Sequence, residues 1–369
     1  MQEMAVEVLV TGDLVLDEPD AAHFLSAIAP ILHSANLAIG HLEVPHTAAQ
    51  LEVSGDVPAP GAPPENIAAL ADAGFGMVSL AGNHIADCGA VGIEDTIAAL
   101  EEAGVLHAGA GSNLAAARAP AIATVEGRRI ALLSYNCVGP EFAWATQDKA
   151  GCAFLPMIAK DSAPVSPRAD LEAVHPDAFF ILAEDISAAR RQADTVLVAL
   201  HKGIVHTPAR LAPYERPIAH AAIRAGADAV IAHHAHIARG IEFHRGKPIF
   251  HGLGNGCVVT RALSPQQDNP ARAAWAQKRK ELFGFEPDPA YFLAPFHPEA
   301  VNAFIGRLRI APDGTITPGI VPVFIEAPGR PVPATGDQAH AISAYIEQIT
   351  VAAGLPPIAI AADGRVAPA

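Results

Sequence analysis

The chain has 369 residues, 51% of them hydrophobic but only 5% aromatic, and a formal charge of −15 at pH 7. That length suits one large α/β domain or two smaller ones. The negative surface repels polyanions at long range, which argues against nucleic acid or an anionic membrane as a partner. No run of about twenty apolar residues is present to span a bilayer. The chain enters a strand almost at once, without the charged and apolar regions of a signal peptide. Four cysteines, Cys88, Cys137, Cys152 and Cys257, form no Cys-x-x-Cys pair, so reduced thiols and a cytoplasmic location are expected.

In chain order, the first apolar strand, Val6-Glu7-Val8-Leu9-Val10, ends at Thr11-Gly12-Asp13. A second, Leu37-Ala38-Ile39, runs into Gly40-His41-Leu42-Glu43. A proline-rich loop over 57–64 reads as a stiff turn before a helix from about Glu65 to Gly74. A third strand, Met77-Val78-Ser79-Leu80, delivers Asn83-His84, with Asp87 one turn on and Cys88, read as a small buried hydrophobe, beside it. The strand over 129–136 is followed by an irregular stretch to about 175, a length that suggests a functional loop or lid. A fourth strand, over 195–200, delivers His201, and a fifth, Ala229-Val230-Ile231, delivers His233, His234 and His236.

In an α/β sheet the C-terminal ends of strands face the ligand crevice. Alternate residues of an extended segment point the same way, so His234 and His236 are expected to share a site and His233 to turn away. Buried carboxylates among imidazoles are costly without a cation. The constellation therefore favours a metal site over a set of polar residues that satisfy one another. Beyond it, 271–281 reads as a basic amphipathic helix through Arg272, Lys278, Arg279 and Lys280, within a segment that suits either a cap over the crevice or a homodimer surface. A final helix over 338–353 precedes a loosely held Ala/Pro-rich end.

Gly-Asp after the first strand, Leu-Glu after the second, Gly-Asn-His-x-x-Asp after the third, then His-x-Gly, His-His-x-His and the run from Gly246 to Asn255 resemble the CapA family of poly-γ-glutamate capsule synthesis proteins, related to calcineurin-like metallophosphoesterases. The resemblance implies an α/β fold, a four-layer αββα sandwich. It places residues 1–325 in one metallohydrolase domain, with 137–180 and 261–300 as lid or cap segments and 326–369 as a helical tail. It implies two divalent transition-metal ions (Mn, Fe or Zn). Asp13 and His236 would serve one ion, Asn83, His201 and His234 the other, and Glu43 would bridge, with His41 beside it also counted among the ligands. His84, held by Asp87, and His206 would be the catalytic imidazoles.

The chain departs from the family pattern at Lys202, Val205, His206, His41, Ala235 and His251. Extra cations at the mouth suggest an anionic small-molecule substrate, with Lys202, Arg239 and His251 as its binding residues. The function expected is hydrolysis of a small anionic amide, lactam or ester through a metal-bound hydroxide. A metal-dependent phosphoesterase and a non-hydrolytic accessory of γ-linked polyglutamate assembly are the alternatives.

Overall fold

The apolar runs of the sequence become strands covered on both faces, as parallel strands of α/β folds are. The computed structural model describes residues 5–53, 61–264 and 268–369. Residues 57–60 of the proline-rich loop lie outside them. Among the described residues the first sheet has eight strands. Its centre is Val6–Leu16, flanked in parallel by Leu37–Leu42, then Phe75–Ser79 and Leu106–Ala108. On the other side Asn302–Ile310, Ile316–Glu326 and Arg330–Pro333 continue antiparallel. Asn255–Val259 pairs in parallel with the far end of Val6–Leu16. The second sheet has six strands, in the order Ile241–His244, Lys247–Phe250, Ala229–His233, Thr195–His201, Arg128–Asn136 and Ala121–Val125.

Side-chain alternation sorts the cores. Val6, Val8, Val10, Leu37, Ile39 and Met77 of the first sheet pack with Ile130, Leu132, Leu197, Ala199 and Ile231 of the second, so the two sheets lie face to face. Leu9, Leu14 and Val78 turn outward to Phe24, Ile67, Leu70 and Leu100 of the helices over the first sheet. Leu133, Tyr135 and Val198 turn outward to Leu182, Ile186 and Ile218, from Pro176–Arg190 and Glu215–Ala225. The result is the four-layer αββα sandwich implied by the resemblance. Each fully buried aliphatic contributes about 1.5–3 kcal/mol.

Three segments differ from the sequence reading. The final helix runs Gly336–Ala352, and Ile342, Ile346 and Ile349 close the edge of the inter-sheet core. The end beyond it forms a hairpin, Ile358–Ile360 with Val366–Pro368, held by buried Ile358 and Val366 rather than hanging loose. The basic helix over 271–281 breaks at Lys278 into Pro270–Gln277 and Arg279–Phe283, and Arg279 is buried. No helix among the described residues is long and apolar enough to cross a membrane.

Candidate metal centre

The parallel strands of both sheets end on one crest, and register sets the site residues side by side. Asp13 pairs with His41 and Asn255, His41 with Ser79, and His201 with Asn136 and His233. Gly12 makes one pairing feasible: a Cβ there would lie 1.8 Å from the Gly254 carbonyl oxygen. The histidine segment does not work by strand alternation. The strand stops at His233, and His234 and His236 take φ of 93° and 51°. A turn, not an extended ribbon, brings both rings to the crest, and non-glycine residues held at such angles mark functional sites more often than ordinary loops. His233 stacks on His41 at 4.7 Å, with Nε2 3.1 Å from the Thr11 carbonyl.

One group of atoms gathers around His201 Nε2. Asn83 Oδ1 lies 2.7 Å away, His234 Nδ1 3.1 Å and Glu43 Oε1 3.8 Å. A second gathers at His236, whose Nδ1 is 3.5 Å from Asp13 Oδ2 and whose Nε2 is 3.4 Å from Glu43 Oε1. Asp13, His41 and His201 form a third group with ligand spacing. Glu43 thus stands between the two main groups. Its Oε1 is buried, 3.4 Å from His236 Nε2, and His41 Nε2 and His234 Nε2 are buried without hydrogen-bond partners. Buried acceptors are seldom left unsatisfied. A set of carboxylate, amide oxygen and imidazole donors with no thiolate suits a divalent transition ion, so these residues fit a metal.

Electrostatics agree. Burial, and then Glu43 alongside, push the Asp13 carboxyl up to about 8. Burial would raise Glu43 too, but His236, His84 and His41 hold it well below the carboxylate range. Burial would lower His236, but Glu43 and Asp13 push it up to about 9. Burial and neighbouring imidazoles drive His41, His201 and His234 down, so these three are neutral at pH 7 and ready to ligate.

His84 Nδ1 meets Asp87 Oδ2 at 2.7 Å, which fixes the tautomer and the ring plane. His84 and His206 line a cavity of about 450 Å³ together with Glu43, Asn83, His234 and His236. Burial keeps His206 neutral. Pro167 and Arg168 from one loop segment, and Trp275, Arg279, Leu282, Phe283 and Phe296 from the segment over 261–300, complete its wall. Burial and Asp87 push the Cys88 thiol up to about 11, so it stays protonated and acts as a small hydrophobe.

Three expectations need correction. Lys202, Arg239 and His251 do not reach the mouth; all three are fully buried and none lines the cavity. Lys202 Nζ donates to Glu215 Oε2 at 2.8 Å and meets His251 Nδ1 at 3.1 Å, and Arg239 Nη1 donates to the same Glu215 oxygen at 2.9 Å. His251 Nε2 continues the chain to Glu242 at 3.0 Å. The lysine and the histidine that depart from the family pattern therefore compensate each other through one buried carboxylate system. Sequence could not pair them, because Glu215 sits on a helix and Glu242 on a separate strand. Sequence reasoning also missed Asn255, whose Oδ1 is 3.0 Å from His236 Nδ1, and Ser79, whose hydroxyl hydrogen-bonds His41 Nδ1 at 2.8 Å. Their strand-end positions were the available signal.

A probable polyglutamine synthesis accessory protein of Mycobacterium tuberculosis is 34% identical over 196 residues, 52% of this chain and 47% of that protein. The capsule biosynthesis protein CapA of Bacillus anthracis is 30% identical over 195 residues, 52% of this chain and 42% of that protein. The matched stretch spans about half the length of these curated relatives. A solved calcineurin-like phosphoesterase, YfkN from Bacillus subtilis, aligns with 94% of this chain and 98% of its own at 12% identity and a TM-score of 0.39. The layered fold rests on the sheets themselves and not on that loose likeness. The profile of the family described as bacterial capsule synthesis protein PGA_cap matches residues 7–258, a stretch that takes in Asp13 through Asn255, and the chain belongs to that family.

Proposed function

We propose that the cleft is the active site of a hydrolase holding two divalent transition-metal ions (Mn, Fe or Zn), acting on a small amide, lactam or ester. The observation that carries this reading is the buried Glu43 carboxylate, set between the Asn83–His201–His234 group and the Asp13–His236 group on the floor of a cavity, with His41 Nε2 and His234 Nε2 left without hydrogen-bond partners. Asp13, Glu43 and His236 would hold one ion, and Asn83, His201, His234 and Glu43 the other, with His41 beside them. When bound, such a pair polarises a substrate oxygen and makes water a competent nucleophile at neutral pH.

The chain's own groups supply the rest. His84, oriented by Asp87, delivers a proton to the leaving atom. His206, neutral through burial, accepts hydrogen bonds or a proton instead of donating as an imidazolium. Val15, Ile204, Val258, Leu263, Leu282 and Phe283 exclude water and favour a substrate with an apolar portion. A second reading, a non-hydrolytic accessory of polymer biosynthesis, has support in the relatives' names.

The test is a turnover screen of metal-reconstituted protein against carboxylated amides, lactams, esters and aryl phosphates. Metal-dependent cleavage of one of the first three, lost in His84→Ala, is expected. Cleavage of phosphates alone would make the protein a phosphoesterase. No turnover in fully loaded protein would favour the accessory role.

A further inference from the structure

We infer that Arg279 binds an anionic group, a carboxylate or phosphate, of the molecule that enters the cleft. The inference rests on the reading of that cleft as a substrate site and assigns the end of the substrate remote from the metals.

Arg279 is 3% exposed, yet its Nε and Nη1 have no hydrogen-bond partner. Other buried or half-buried arginines of this chain behave differently. Arg239 meets Glu215 at 2.9 Å, Arg118 meets Asp185 at 2.6 Å and Arg272 meets Glu52 at 2.6 Å. A guanidinium kept for stability alone is paired in this manner, because an unpaired buried charge is costly. Arg279 instead lines the cavity. Burial lowers it only to about 10, so it stays charged at neutral pH.

Two rings hold its plane without neutralising it. The guanidinium carbon lies 5.4 Å from the Trp275 ring centre and 5.7 Å from that of Phe296. The Phe296 ring also stacks on His236 at 4.7 Å. One aromatic ring therefore separates the arginine from the metal cluster, which sets the length of the molecule that can touch both. Asp17 lines the same cavity, but its Oδ2 accepts from the Thr260 hydroxyl at 2.5 Å and it forms no ion pair with Arg279. A planar fork with unpaired N–H groups at Nε and Nη1 matches a carboxylate or a phosphate edge-on. Against a net charge of −15, such a site draws a small anion into the cleft by local field alone.

Trp275 provides the readout. The chain has two tryptophans, and the other, Trp144, stacks on Phe154 and does not line the cavity. In full-length protein carrying Trp144→Phe, fluorescence is titrated with phenylacetate, inorganic phosphate and the neutral phenylacetamide, with metal loaded and after chelation. At least one anion is expected to bind in both states, and phenylacetamide to bind far more weakly. Arg279→Met should weaken anion binding roughly tenfold or more, with Arg279→Lys between the two. Phenylacetate or phosphate as the tighter probe names the head group. The melting temperature of Arg279→Met should be unchanged or higher, because a lone buried charge is removed.

Equal anion binding in wild type and Arg279→Met, or none in wild type, overturns the inference. So does a lowered melting temperature with unaltered binding, which makes the arginine structural. Metal content is measured in parallel. An absent metal with arginine-dependent anion binding would defeat the hydrolase reading and leave this one standing.

Discussion

Acidification should loosen the metal far more steeply than for an ordinary histidine site. In the metal-free protein at pH 7, Asp13 (about 8) and His236 (about 9) each hold a proton that a cation must displace. Both values lie above the ordinary ones, so metal affinity is full above about pH 9 and is lost as pH falls. While both groups are protonated, each proton weakens binding tenfold per pH unit, so the apparent dissociation constant should rise about a hundredfold from pH 7 to pH 6. Between pH 8 and 9 the change should shrink to about tenfold. His41, His201 and His234 add nothing to the slope, since all three are already neutral. Isothermal titration of Mn or Zn in buffers of different ionisation enthalpy measures affinity and proton release together. About two protons released per loaded centre at pH 7 are expected, and one fewer in His236→Asn. An affinity flat from pH 6 to 8, or no proton release, would refute the charge distribution described for Asp13, Glu43 and His236.

Other outcomes follow from particular contacts. Glu215→Gln strips Lys202 and Arg239 of their shared carboxylate and should cost about 3–5 kcal/mol in denaturant unfolding; a loss below about 1 kcal/mol would mean the network is solvated. His84→Ala should keep its metal and lose about 10²–10⁴ in turnover, with Asp87→Asn milder, as read by steady-state kinetics beside elemental analysis. Gly12→Ala, whose Cβ would meet the Gly254 carbonyl, should lower both melting temperature and metal content, because Asp13 follows it directly. Unchanged metal content there would detach the strand pairing from the site.

The layered fold was legible because its strands are near-continuous Val, Ile, Leu and Ala runs that end in polar residues, a pattern that two-sided burial imposes. The cluster was legible for the same reason: Glu43, His201 and His234 sit at or just past such ends, Asn83 follows one in the next turn, and Asp13 stands where the pairing of the first strand shifts register. Local rules failed where tertiary contacts decide. His234 and His236 converge through positive φ angles, which no periodicity foretells. Lys202 looked like a cation at the mouth until Glu215 and His251, remote in sequence, closed around it. Arg279 read as one charge of a single basic amphipathic helix, whereas the helix breaks at Lys278 and Arg279 is buried. The tail looked loose because its burying partners, Ile316 and Ile320, lie on a strand far up the chain.

The most direct measurement is metal content by elemental analysis of protein purified without chelator, wild type beside His234→Ala and Glu43→Ala. Close to two transition-metal ions per chain are expected in wild type, with loss in both variants. No metal in wild type, and none acquired from added Mn, Fe or Zn, would contradict the reading of the crest as a metal centre, and with it the hydrolase.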